Sequence, residues 1–282
     1  MHNLWKWQII KPVRLKTQTW YLMAHLQYVR YVHWKSALCR GMYFLLQPDR
    51  NDFRFPDTYE QVNSLKPFKI RTVHGGAQRR PELIGYSEDI YDQAKSAIYT
   101  QSERMHRIQT ELTQKAVELL EYTNPLSTNP CVLDIGSGSG ISSAILKRVG
   151  YFVVGADSNT FMLSICKDKR NSQDCVKLDI FYHLPFRASC VGTVVSISAL
   201  QWIYTLPDCH RYMWRLFSSL RDCLDEDGRA VLQFYPRMLS DVVNTLDVAK
   251  KYFPNGALVC DFPHPHRGKK LYLLLTKYSI CE

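Results

Sequence analysis

Residues 131–140 read Cys131-Val132-Leu133-Asp134-Ile135-Gly136-Ser137-Gly138-Ser139-Gly140, an apolar run that reaches a carboxylate and then breaks into alternating glycines. Val132, Leu133 and Ile135 predict a buried parallel strand. The glycines predict a tight turn whose backbone approaches a ligand more closely than a Cβ would allow. Beyond the turn, Ile141, Ala144, Ile145, Leu146 and Val149 fall at helical spacing, so the loop delivers its amides to a helix N-terminus, as nucleotide-binding strand–helix turns do. A second apolar run, 151–156, ends at Asp157, 21 residues after Gly136, about where an acidic side chain meets ribose hydroxyls in such folds.

A glycine-rich turn alone leaves several sites open: a dinucleotide-binding oxidoreductase carries a similar one, and so does an ordinary tight turn. Here the glycines run G-x-G-x-G rather than G-x-G-x-x-G, and Asp134 stands two residues before the first. That pattern resembles motif I of the class I S-adenosylmethionine (SAM) methyltransferases, whose cofactor has no pyrophosphate for the helix to hold.

The chain has 282 residues, 46% of them hydrophobic, enough for one large domain and an appendage. Its nine cysteines form no C-x-x-C or C-x-x-H pair, which argues against a zinc site or disulfide framework and for a reducing compartment. No uncharged apolar run reaches the ~18 residues of a membrane span. The net charge of +10 is uneven, with 13 Lys/Arg against 4 Asp/Glu in residues 1–79 and 23 against 22 in residues 80–282. Residues 1–79 therefore read as a basic, poorly ordered N-terminal extension, and 80–282 as the folded domain.

The extension has no acidic residue before Asp49 and holds Trp5, Trp7, Trp20 and Trp34, without sustained periodicity. Three readings stay open: an upstream segment of no settled structure, an RNA-binding arm of cations among aromatics, or a mitochondrial presequence, which a single serine in the first 48 residues disfavours. Residues 65–80 read as a linker. From Ile90 to Tyr122 the pattern is helical, over the cofactor crevice of a doubly wound domain, where Tyr91, Tyr99 and Arg104 either close on the ligand or are ordinary helix-face residues.

Ser158 is a plausible N-cap for a helix running to Arg170. Strands are expected at 175–179, ending on Asp179, at 191–198, at 229–235, and as a pair at 258–262 and 270–276. Helices are expected at 210–224, closed by an acidic turn 225–228, and at 238–253. Alternating strands and helices imply an α/β fold, a mostly parallel sheet covered on both faces.

With these residues placed, the region 79–276 resembles the eukaryotic small-subunit (18S) ribosomal RNA guanine-N7 methyltransferases (Bud23-type), which are class I SAM-dependent enzymes. The matches are RRPEL at 79–83, RIQ and KAVELL within 107–120, LDIGSGSG at 133–140, LPF at 184–186, SISALQW at 196–202, RAVLQFYP at 229–236 and KKLYLLL at 269–275. The resemblance implies a seven-stranded sheet and a SAM site made by Asp134, Gly136, Ser137, Gly138 and Gly140, with Asp157 on the ribose beside Ser158 and Asp179 on the adenine side. It implies Tyr99 and Arg104, with Tyr91, over the methionine end, and Gln201 and Trp202 ending a strand that faces the methyl group.

The chain departs from the family pattern at Ser137, usually cysteine, at 179–183 and at 190–192, and it stops without the family's basic tail. The changes at 179–183 and 190–192 bear on the adenine side.

Guanine N7 carries a free lone pair and no proton, so transfer of an already activated methyl needs no general base. Positioning and water exclusion supply the rate, effects worth ~7 to 11 kcal/mol. The base must be splayed out and held on aromatic faces, for which Trp202 and Tyr235 are the candidates. The alternative for Trp202 is a core aromatic. Other functions left open are a SAM methyltransferase for a small molecule or protein, and a non-catalytic assembly factor that keeps the fold. The resemblance further implies small-subunit rRNA or a pre-ribosome as partner, a heterodimer with a small zinc-binding methyltransferase activator (Trm112-type) paired along the outermost strand, and a nuclear or nucleolar location with cytoplasm as a second one; the cysteine spacing leaves no metal expected in this chain. The bland alternative for that sheet edge is that the extension folds back over it.

Overall fold

A computed structural model describes residues 13–15, 18–24, 80–122, 129–253, 255–261 and 270–277. In chain order the elements are β1 (Val13–Leu15), β2 (Gln18–Ala24), α1 (Ser87–Ile90), α2 (Gln93–Gln101), α3 (Glu103–Tyr122), β3 (Cys131–Ile135), α4 (Ile141–Val149), β4 (Phe152–Asp157), α5 (Thr160–Asp168), β5 (Asp174–Lys177), β6 (Val191–Ile197), α6 (Cys209–Cys223), β7 (Leu224–Phe234), α7 (Leu239–Tyr252), β8 (Asn255–Asp261) and β9 (Lys270–Thr276). Short 3-10 segments occupy Pro81–Leu83 and Leu200–Thr205.

The strands form one sheet in the order β1-β2-β8-β9-β7-β6-β3-β4-β5. From β8 to β5 these are the seven strands of the class I SAM-methyltransferase fold, parallel except for β9, which runs antiparallel between β7 and β8. Two further strands come from the basic extension. β2 pairs in parallel with β8, and β1 pairs antiparallel with β2. The other readings placed on residues 1–79 lie outside the described residues.

Period-two alternation sorts the strand side chains into two cores. Leu133, Val194 and Leu232 pack with Leu216, Phe217 and Leu220 of α6 and Leu246 of α7. Val132, Val195 and Val231 pack on the other face with Leu112, Ala116, Leu119 and Leu120 of α3. α3 therefore buries the stripe that its spacing predicts. The helical stretch 90–122 is broken at Ser102, whose extended ψ of 109° separates α2 from α3.

Several boundaries differ from expectation. β5 stops at Lys177, paired with Asp157, so Asp179 lies in the following loop rather than at a strand end. β6 stops at Ile197, because Ser198 turns the chain at φ +58° into the 3-10 segment. Gln201 and Trp202 lie within that segment and do not end a strand. β7 already begins at Leu224, and its register with β6 steps from Val191↔Leu224 to Thr193↔Arg229. The acidic residues 225–227 thus bulge out of a strand instead of closing a helix.

Asp134 joins the first strand to the first helix of the glycine-loop unit. It sits on β3 with 0% exposure, and its Oδ2 accepts hydrogen bonds from both Ser142 Oγ and Ser143 Oγ at 2.6 Å, in the first turn of α4. Its Oδ1 is buried without a hydrogen-bond partner. Burial raises its pKa from 3.8 to about 6, against the lowering effect of the two serines. Because the folded state binds this proton more tightly, stability contributed by the group is lost as pH rises from 3.8 towards 6. We predict that Asp134→Asn, which keeps an acceptor for both hydroxyls, removes this loss. Chemical denaturation across that window should show the variant gaining on the wild type by about 3 kcal/mol as pH rises, with no further change above it. A pH-independent difference would contradict the assignment.

Candidate functional site

The glycine loop takes left-handed backbone angles at all three glycines, φ 71° at Gly136, 53° at Gly138 and 80° at Gly140. Ala156 O at the end of β4 accepts the N–H groups of Gly136 (2.7 Å) and Ser137 (3.1 Å). A Cβ at Gly136 would stand 2.3 Å from the Ala199 Cβ, and one at Gly140 would stand 2.4 Å from Cys166 Sγ. Both glycines are required by close approach of protein to protein. Gly138 is different: a Cβ there would meet nothing within 4 Å, so the apex of the loop opens onto free space. Ser137 and Ser139 are buried beside it, each with a hydroxyl that has no hydrogen-bond partner.

Asp157, half-buried at the end of β4, divides its carboxylate between two backbone donors. Oδ2 accepts Gly138 N–H and Oδ1 accepts Asn159 N–H, both at 2.8 Å. Burial raises its pKa, and these backbone hydrogen bonds oppose the rise. The helix cap that the sequence suggested at Ser158 belongs to Asn159, whose Oδ1 accepts Met162 N–H at 2.9 Å. Ser158 is half-buried in the turn between Asp157 and that cap.

Asn159 does more than cap α5. Its Nδ2 donates to Tyr91 O at 2.7 Å and to Ser87 O at 3.4 Å, tying the N-terminal helical segment to the cofactor loop's own anchor. Sequence reasoning missed this residue; an asparagine directly after Asp157 and Ser158 was the available signal. Asp179 is half-buried in the loop after β5, where its Oδ1 accepts Phe181 N–H at 2.9 Å. Its charge contributes to the raised pKa of Asp157.

Three aromatic rings converge, Tyr91 from the turn before α2, Tyr99 from α2 and Trp202 from the 3-10 segment. Tyr91 and Tyr99 meet edge to face at 5.6 Å, and Tyr91 meets Trp202 edge to face at 6.4 Å. Burial, with the charges of Glu82 and Asp157, pushes the Tyr91 pKa up to about 12. Burial also raises Tyr99, with smaller contributions from Tyr91, Tyr235 and Asp157, so the two tyrosines stay neutral and act as hydrogen-bonding, stacking groups. Trp202 is half-buried, with one side on Tyr91.

Gln201 is buried, donating from Nε2 to Ser198 O at 2.8 Å, while its Oε1 has no hydrogen-bond partner. Tyr235 lies one residue beyond β7, where Lys270 Nζ donates to its hydroxyl at 3.0 Å and sits 4.8 Å from the ring centre. Arg104, in the first turn of α3, is exposed and is the one suggested cofactor residue that no described contact joins to the cleft. Asp134 is fully buried, so it acts on a ligand through the loop that it braces rather than by contact.

Together these residues make a cleft at the carboxyl ends of β3, β4, β6 and β7, with a loop apex open for a ligand, a carboxylate with lone pairs left for hydroxyls, and a slot of aromatic faces. The open space at Gly138 and the Asp157 carboxylate beside it fit S-adenosylmethionine lying along the loop, with its ribose on Asp157.

Comparisons with known proteins give the family. Residues 133–232 match the family model described as a methyltransferase domain. The 18S rRNA (guanine-N(7))-methyltransferase bud23 of Schizosaccharomyces pombe is 36% identical over 201 residues, covering 70% of this chain and 74% of that protein. The probable 18S rRNA (guanine-N(7))-methyltransferase of Dictyostelium discoideum is 34% identical over 200 residues, 70% of this chain and 69% of that one. A solved complex between the Haloferax volcanii Trm112 methyltransferase activator and a putative methyltransferase aligns with 66% of this chain and 97% of the solved chain, at 14% identity and a TM-score of 0.43. On its identity to curated relatives over most of their length, the chain belongs to the 18S rRNA (guanine-N7)-methyltransferase family of SAM-dependent enzymes.

Proposed function

We propose that this protein transfers the methyl group of S-adenosylmethionine to N7 of a guanine in small-subunit ribosomal RNA, as a step in building that subunit. The observation that carries the reading is family membership at 36% identity. The aromatic slot at the mouth of the cofactor cleft supports it. The cofactor supplies a methyl already activated on a sulfonium. The remaining work belongs to this chain: Asp157 and the glycine loop fix the ribose side, and Tyr91 and Tyr99 cover the cleft. Trp202 and Tyr235 offer faces on which a splayed base stacks with N7 turned inward. The close packing of Gly136 on Ala199 sets the spacing between the loop and the Trp202 segment. A nucleolar location follows from the substrate and is part of the proposal.

A Trm112-type activator as partner is also proposed, on the state of the sheet edges. The described strands of the extension pair at β8, the edge opposite β5. Among the described residues β5 therefore has no strand on its outer side, and it presents half-buried Cys175 and Val176 there. An uncovered edge of this kind is a site for strand addition.

We predict that Asp157→Ala weakens SAM binding by about 1.5 to 3 kcal/mol, and that Gly138→Arg, which puts a long side chain into the loop's open apex at positive φ, abolishes it. Calorimetry reads both, and unchanged affinities would remove the cofactor assignment. Trp202→Ala should leave SAM affinity within a few-fold while methyl transfer to small-subunit RNA falls much further, because stacking acts on the base. An equal loss of both with a lowered melting temperature would make Trp202 a core residue. Val176→Pro should break co-purification with a co-expressed activator while SAM binding by the variant persists. A soluble, active monomer of the full chain would refute the partner.

A further inference from the structure

The 3-10 segment Pro81–Leu83 packs against the segment Leu200–Thr205, and it brings a charged pair to the edge of the aromatic slot. Glu82 is 4% exposed, and its Oε1 lies 3.4 Å from Arg80 Nη1. The pair does not satisfy itself. Glu82 Oε1 and Arg80 Nε are both buried without a hydrogen-bond partner, while Arg80 Nη1 donates to Tyr235 O at 3.3 Å. The carboxylate is close enough to Tyr91, the ring that leans on Trp202, to raise that phenol's pKa. An acceptor held only by that ion contact and a donor with no hydrogen-bond partner thus lie between Tyr91 and the backbone of Tyr235. Leaving such groups without hydrogen bonds is costly in an interior, so a ligand that supplied them would gain from both.

Resting on the function proposed above, we infer that Glu82 and Arg80 read the Watson–Crick edge of the target guanine. That edge presents two adjacent donors, the N2 amino group and N1–H, followed by the O6 acceptor. Glu82 accepts from N2 and N1, and Arg80 Nε donates to O6. N7 lies on the neighbouring Hoogsteen edge, beyond O6, so a guanine held through N2 and N1 keeps the N7 lone pair free for the cofactor side of the slot. Adenine offers an acceptor at N1 and a donor at N6, the reverse order, and would set a lone pair against the carboxylate. Uracil and cytosine place an acceptor where guanine has its N2 donor. The pair therefore selects the base by unpaired polar groups as well as by fit, the stronger form of discrimination.

The test uses the full chain, with its activator if it co-purifies, and synthetic RNA spanning the guanine that the wild-type protein methylates, made with guanosine or inosine at that position. Inosine lacks only the N2 amino group. The wild type should methylate guanosine over inosine by about tenfold, and Glu82→Gln should lower transfer to guanosine by about a hundredfold. That variant should also bring the guanosine-to-inosine ratio within about twofold of unity, with SAM affinity unchanged. Arg80→Gln should lower transfer to both RNAs alike, because O6 is common to them. Equal wild-type rates on the two RNAs overturn the inference whatever the variants do, as does a Glu82→Gln protein that keeps the wild-type ratio. A wild-type chain that methylates neither RNA instead overturns the function on which the inference rests.

Discussion

The carboxylate of Asp157 holds the cofactor loop and the cover of the cleft in one hydrogen-bonded chain. One oxygen accepts the N–H at the apex of the glycine loop, and the other accepts Asn159 N–H. Asn159 caps α5 with its carbonyl and grips Tyr91 O and Ser87 O with its amide. Loop apex, helix start and tyrosine-bearing segment are therefore set by two side chains, Asp157 at the end of β4 and Asn159 two residues on. Ribose hydroxyls meeting the same carboxylate would feel the placement of all three, which is how cofactor binding can preorganise a slot for the base without any contact between them.

A second constraint lies beneath the first. Asp134 is buried where an ionised group is penalised, and it tolerates this only because two serine hydroxyls at the start of α4 converge on one of its oxygens. The arrangement fixes the helix to the strand while leaving the loop between them free of side-chain bulk. Stability is spent here in favour of a shaped binding turn.

Much of this was legible in the sequence where local chemistry decides the outcome. The run 131–140 specified strand, turn and helix, because apolar alternation and glycine spacing leave little else for that stretch to do. The seven strands from β8 to β5 followed from their apolar runs. What could not be read depends on tertiary placement. Ser158 and Asn159 are both good caps, and the choice between them rests on where the α5 backbone begins. The ends of β5 and β6 are set by register with β4 and by the left-handed turn at Ser198. These shift Asp179 into a loop, and Gln201 and Trp202 into a 3-10 segment. Arg104 has a helical position that fits the cleft by sequence, yet its side chain is exposed. The extension's pairing with β8 brings together residues more than 200 apart and left no periodic trace. Arg80 and Glu82 were visible only as part of the stretch RRPEL; their burial against the slot comes from the fold.

The central claim is that a single class of base, guanine at N7 in small-subunit RNA, is presented to the cofactor cleft. The most direct measurement is a map of N7-methylguanine across small-subunit ribosomal RNA in cells depleted of this protein, then supplied with the wild-type chain or with Gly138→Arg. The account predicts that one N7-methylguanine disappears on depletion, returns with the wild-type chain and stays absent with the variant. A map unchanged by depletion, or restored equally by Gly138→Arg, would contradict it.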